Sequence, residues 1–120
     1  MTLLANTAVG LVAILQVTFL VLEMFFWSRP LGRRVFGLPP EVMASSAPLA
    51  ANQGLYNGFL AAGLVWGLWV GAEGYTIKVF FLSCVAIAGV FGTATAKRSI
   101  LWIQAVPAAV TLILVWLARP

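Results

Sequence analysis

The sequence predicts an all-α integral membrane protein, a four-transmembrane-helix bundle forming one domain over residues 1–120. Three observations carry this. The chain is 62% hydrophobic and 8% charged, with a mean hydropathy of +1.04, unlike a soluble domain of this size. Long apolar runs recur along it. Segments rich in glycine, proline or charge separate those runs. The predicted spans are Leu3–Trp27, Pro48–Val70, Ile77–Ala94 and Ile100–Ala118.

The first span is about 25 residues, long enough to cross a bilayer with some tilt. Met1–Thr2 carries no basic side chain and the apolar run exceeds a signal-peptide core, so it reads as a retained helix. The first break, Ser28 to Ala47, holds Arg29, Pro30, Gly32, Arg33, Arg34, Gly37, Pro39, Pro40 and Glu41, which predicts an end to any helix there. Its segment Gly37–Ser46 is too apolar for a free linker and is expected on the membrane surface or folded back over the helix ends. The second break is Gly71–Tyr75, ending near Lys78. The third surrounds Thr95, Lys97, Arg98 and Ser99. Pro107 is expected to kink the fourth helix and free the carbonyl of Ile103.

Basic residues set the predicted orientation. Arg29, Arg33, Arg34, Lys97 and Arg98 lie in the first and third connections; Lys78 and Arg119 lie opposite. The positive-inside rule puts loops 28–47 and 95–99 in the cytoplasm and both termini outside. The net charge of +4 therefore reports orientation, not a nucleic-acid partner. Trp27, Trp69, Tyr75, Trp102 and Trp116 near predicted helix ends fit an aromatic belt.

Glu23 is the one ionisable side chain within the first apolar run. A carboxylate there costs several kcal/mol unless paired, hydrated or protonated, so it marks a functional site. Topology places Asn52, Gln53, Tyr56 and Asn57 of the second span, Thr93 and Thr95 of the third and Gln104 of the fourth at a similar depth near the cytoplasmic face. Gln16 shares a helix face with Glu23. The outer half of the bundle is expected to be almost wholly apolar. Polar side chains between membrane helices often serve only to join them. That reading is preferred for Gln16, Gln104 and Thr111. Glu23 with three neighbouring amides exceeds that need, so Glu23, Asn52, Gln53, Tyr56, Asn57 and Gln104 are the candidate ligand-binding residues.

The remaining features exclude much. There is no histidine and one cysteine, Cys84, so no disulfide within the chain, no histidine metal site and no metal set is expected. No nucleophile motif or phosphate loop appears, and no cofactor is implied. Arg33 and Arg34 read as topology and lipid-phosphate contacts, and Cys84 as a small core residue. Gly54-x-x-x-Gly58-x-x-x-Ala62 and Gly63-x-x-x-Gly67-x-x-x-Gly71 form small-residue stripes, and Gly89 and Gly92 do the same on the third span. Such stripes allow close helix contact. One is expected to pack within the chain; the other could face a second copy in a homo-oligomer.

The strings Leu22–Trp27, Asn52–Leu64, Phe80–Gly92 and Gln104–Ala108 resemble the bacterial family named domain of unknown function 1304. That resemblance covers essentially the whole chain and implies a small four-span membrane protein without a transferable activity. The architecture is also similar to that of the membrane-associated eicosanoid and glutathione (MAPEG) proteins, which have four spans and form trimers. With the Asn of their Arg-x-x-x-Asn-x-x-Glu pattern set on Asn52, Pro48 and Leu55 stand at the charged positions, while Tyr56 matches the Tyr that often follows. Three functions fit the sequence, with the lipid bilayer as the common partner. The preferred one is binding or transport of a small molecule or ion. The others are a glutathione-dependent membrane enzyme and an accessory subunit whose polar cluster locks helix register.

Overall fold

A computed structural model describes residues 1–95 and 101–120. The described chain is helical: α1 (Thr2–Phe25), α2 (Pro30–Phe36), α3 (Pro40–Trp69), a 3-10 turn (Gly71–Gly74), α4 (Tyr75–Thr95), a π turn (Leu101–Ala105) and α5 (Val106–Leu117). Residues 96–100, with Lys97, Arg98 and Ser99 of the third connection, and the side chains of Thr93 and Thr95 lie outside what is described.

Two of the expected breaks are themselves helical. The first connection contains α2 and the opening turns of α3, which starts eight residues before Pro48. The prolines permit this because of where they fall. Pro30 stands in the first turn of α2, and Pro40 is the first residue of α3, where an amide hydrogen has no helical acceptor anyway. Gly37 then stops α2: it takes φ 69°, and its N–H donates to the Arg33 carbonyl at 2.8 Å. Pro48 lies inside α3 and leaves the Ala44 carbonyl without its helical donor. In the last helix, Pro107 falls in the first turn of α5, directly after the π turn. A π turn thus stands directly before the proline for which the sequence predicts a kink.

The chain forms two compact units. One joins Met1–Leu15 to Leu60–Pro120; the other is Gln16–Phe59. The core of the first draws Ala5, Val9, Val12 and Ala13 from α1, Leu64 from α3, Leu82 and Val85 from α4, and Ala108 and Val115 from α5. Glycines set its helix spacing. A Cβ on Gly63 would overlap the Phe81 ring, and one on Gly89 would stand 2.7 Å from the Ala105 nitrogen. Gly71 adopts φ 68° to turn the chain from α3 towards α4. Gly74 then approaches the Gly67 carbonyl so closely that no Cβ fits.

In the second unit, the connection packs back on the end of α1, one of the two placements expected for it. The Trp27 and Phe36 rings are 4.6 Å apart, and Trp27 Nε1 donates to Ser46 Oγ at 3.1 Å. Ser46 Oγ donates in turn to the Val42 carbonyl at 2.6 Å. Met43 is fully buried, and Gly32 lies against the Phe26 and Trp27 carbonyls. Gly54 and Gly58 face Met24 and Leu20 of α1. Gly54 and Gly58 of one stripe and Gly63 and Gly67 of the other therefore meet neighbours within the chain, while Ala62 is exposed and Gly71 has nothing within 4 Å.

Large apolar side chains cover the exterior of every helix, including Leu3, Ile14, Leu31, Leu49, Trp69, Phe80, Ile87 and Trp116. Trp69 is 86% exposed. Among the described residues, Thr2–Phe25 and Gly71–Gly92 are long and apolar enough to cross a membrane, and Trp102–Leu117 is a shorter apolar helix. The amides of Asn52, Gln53 and Asn57 keep α3 out of that class.

Candidate functional site

The site grows from the meeting of α1 and α3 in the Gln16–Phe59 unit. Gly54 has no side chain, so the two helices come together there. A Cβ on it would stand 2.8 Å from Met24 Cγ, 3.1 Å from the Leu20 carbonyl and 3.3 Å from Glu23 Cβ. One turn further along α3, Asn57 Nδ2 donates to Glu23 Oε1. Both side chains are buried, at 9% exposure for Glu23 and 4% for Asn57. Among the described residues no basic side chain pairs with Glu23.

The rest of the expected polar layer is narrower than the spacing suggests. Asn52, Gln53 and Tyr56 are exposed, and the Tyr56 ring packs edge-on against Phe59 at 5.7 Å. The reason lies in helix periodicity. At about 100° per residue, positions 52, 53, 56 and 57 fan over roughly 140° of α3. The buried strip runs through Ala50, Gly54, Asn57 and Ala61, so Asn57 enters it and the others turn outward. Asn52 and Tyr56, the two positions retained in the MAPEG likeness, thus lie away from Glu23. Gln104 is buried at 9% exposure and belongs to the other unit.

Gln16 is fully buried, and neither its amide nitrogen nor its oxygen has a partner among the described residues. An unbonded buried amide costs about 1–3 kcal/mol. The preferred sequence reading of Gln16 as a hydrogen-bonded link between helices therefore has no partner to support it. Thr111 bonds locally instead, its Oγ1 donating to the Pro107 carbonyl at 2.7 Å.

A second polar pair escaped the sequence reading. Lys78 on α4 is buried at 9% exposure, and its Nζ donates to Asn6 Oδ1 of α1 at 2.9 Å. This half of the bundle was expected to be nearly all apolar. The available signal was Asn6 itself, a lone amide early in the first apolar run.

The family described as "Protein of unknown function (DUF1304)" matches residues 10–116. The chain is similar to an uncharacterized protein, YpaA, of Lactococcus lactis subsp. lactis (strain IL1403). The two are 29% identical over 106 residues, covering 87% of this chain and 89% of the relative. No solved structure matches.

Proposed function

The chain belongs to the DUF1304 family, and from the Glu23–Asn57 pair we propose that it is a four-span inner-membrane protein that binds, and by extension carries, a small cation or a proton. The single observation behind this is a buried carboxylate whose hydrogen-bond partner is a neutral amide. A carboxylate removed from water needs a compensating charge. Asn57 supplies orientation but no charge, so a proton or a small cation completes the site.

Membrane residence rests on the apolar exterior and on the two helices long enough to span. In a single membrane domain, α3 and the segment ending in α5 complete the four crossings. α3 crosses although its amides lower its apolarity: the buried strip takes Asn57 inward, and the exposed Asn52 and Gln53 fall in the first turns of the predicted span, beside the cytoplasmic connection. Arg29, Arg33 and Arg34 hold the first connection in the cytoplasm, which puts Glu23 close to that face.

The test is a cation screen on purified protein in a neutral detergent, following thermal unfolding with Na⁺, K⁺ and tetramethylammonium. At least one should stabilise the wild type selectively and fail to stabilise Glu23→Gln. A proton-only site would instead show as a pH-dependent carboxyl band in infrared difference spectra, absent from Glu23→Gln. Identical responses in wild type and variant by both methods would reject the proposal.

The second reading, a lock for helix register, draws on Gly54, which brings α1 and α3 into contact beside the pair. Glu23→Gln separates the two readings, because a glutamine can still accept from Asn57 and preserve a lock while losing charge-dependent binding.

A further inference from the structure

The cleft beside Lys78 lies in the other unit and involves neither Glu23 nor Asn57. Its volume is about 300 Å³, within the range of small-molecule sites, which runs from about 300 to 1,000 Å³. Thr2, Asn6, Tyr75 and Lys78 line it with polar groups, and Ala5 and Val115 form part of its apolar wall. Lys78 is held in place from behind. Gly67 of α3 lies so close that a Cβ there would stand 2.8 Å from Lys78 Cγ, so the aliphatic stem packs on bare backbone and the ammonium reaches Asn6.

Charge balance is what this site lacks. The chain has three acidic residues, Glu23, Glu41 and Glu73. Glu23 bonds to Asn57, and Glu41 and Glu73 are exposed. Among the described residues none pairs with Lys78. The ammonium faces an amide oxygen and the cleft, and among the described residues no acidic side chain neutralises it. It also keeps donors in hand. An ammonium has three N–H groups, and one is used on Asn6 Oδ1. That bond leaves the Asn6 amide N–H₂ as a further donor, and Thr2 and Tyr75, which also line the cleft, each carry a hydroxyl.

We infer that this cleft binds a phosphate group, with Lys78 as the charge and Asn6, Thr2 and Tyr75 as hydrogen-bond donors to its oxygens. The phosphate is either free in solution or the headgroup of a phospholipid, and both present the same oxygens to the site. A compact ammonium set among neutral donors suits a multi-oxygen anion of this kind.

The experiment follows thermal unfolding of the whole protein in an uncharged detergent. One arm adds inorganic phosphate, the other a short-chain phosphatidylglycerol, with the matching phosphate-free diacylglycerol as control. The wild type should gain several degrees from at least one phosphate probe and nothing from the diacylglycerol. Response to the lipid alone identifies a headgroup, and response to inorganic phosphate at equal or lower concentration identifies a free anion. Lys78→Met should weaken apparent affinity at least tenfold, while Lys78→Arg, which keeps the charge, should retain most of it. A folded Lys78→Met protein that responds like wild type, or a wild type unmoved by both probes, would overturn the site. Pro120 also lines the cleft, so the titration is repeated with a glycine–serine tail after it. A response confined to the tailed protein would overturn an external ligand in favour of the terminal carboxylate.

Discussion

Among the described residues two ionisable side chains are buried, the acid Glu23 and the base Lys78, and they are set up in the same way. Each lies between α1 and another helix. Glu23 on α1 meets Asn57 of α3, and Lys78 on α4 meets Asn6 of α1. In each case the partner is an amide, and a glycine of α3 stands alongside, Gly54 at Glu23 and Gly67 at Lys78. The difference lies in surroundings. Glu23 sits against the packed seam of Gly54, Leu20 and Met24. Lys78 opens onto a cleft with further donors. A charge in a tight seam suits a proton or small cation, whereas one on an open cleft suits a larger anion. Neutral amide partners orient both groups and cancel the charge of neither, and both binding proposals rest on that.

This comparison can be broken by substitution, beginning with the glycines. Gly74→Ala should have the largest effect, because its Cβ meets the Gly67 carbonyl, a backbone atom that cannot rotate away. Overpacking of this kind costs about 3 kcal/mol, read as a large drop in unfolding temperature together with loss of phosphate response at Lys78. Next comes Asn57→Leu, which leaves Glu23 buried without its donor and should cost about 2 kcal/mol. Adding Glu23→Gln to it should recover much of that loss, and a double-mutant cycle with no recovery would show that the two side chains do not act as a pair. Gly54→Ala should cost about 1 kcal/mol: the nearest atom, Met24 Cγ, belongs to a flexible side chain, although the Leu20 carbonyl limits the relief. A cost equal to that of Gly74→Ala would erase the distinction between seam and turn. Glu23→Gln alone should be smallest, within about 0.6 kcal/mol, since the hydrogen bond to Asn57 can be kept. A loss above about 2 kcal/mol would show that the negative charge is needed for packing and would favour a lock.

The contact between Glu23 and the second predicted span was legible. Glu23 stood out because a carboxylate in an apolar run has few explanations, and its approach to the second predicted span followed from depth along the helices. The choice of Asn57 over Asn52, Gln53 and Tyr56 was not legible. Those four positions cover a wide arc of α3, and the rotation of the helix depends on where Gly54 and Ala50 pack. The inward course of the Lys78 side chain was not legible either. Basic residues near helix ends usually reach out to water, and here the missing side chain at Gly67 gives the lysine stem a place to lie inward.

By itself the sequence determined the all-helical character, the apolar exterior and the presence of a buried acid, because periodicity, hydropathy and the cost of burying charge are local properties of the chain. It also determined the family. Only the tertiary structure decided that prolines would open helices in the first connection, that a π turn would stand before Pro107, and that each buried ionisable side chain would face an amide. Those outcomes depend on which glycine lies opposite which side chain, a relation between residues far apart in the sequence, as Asn6 and Lys78 are.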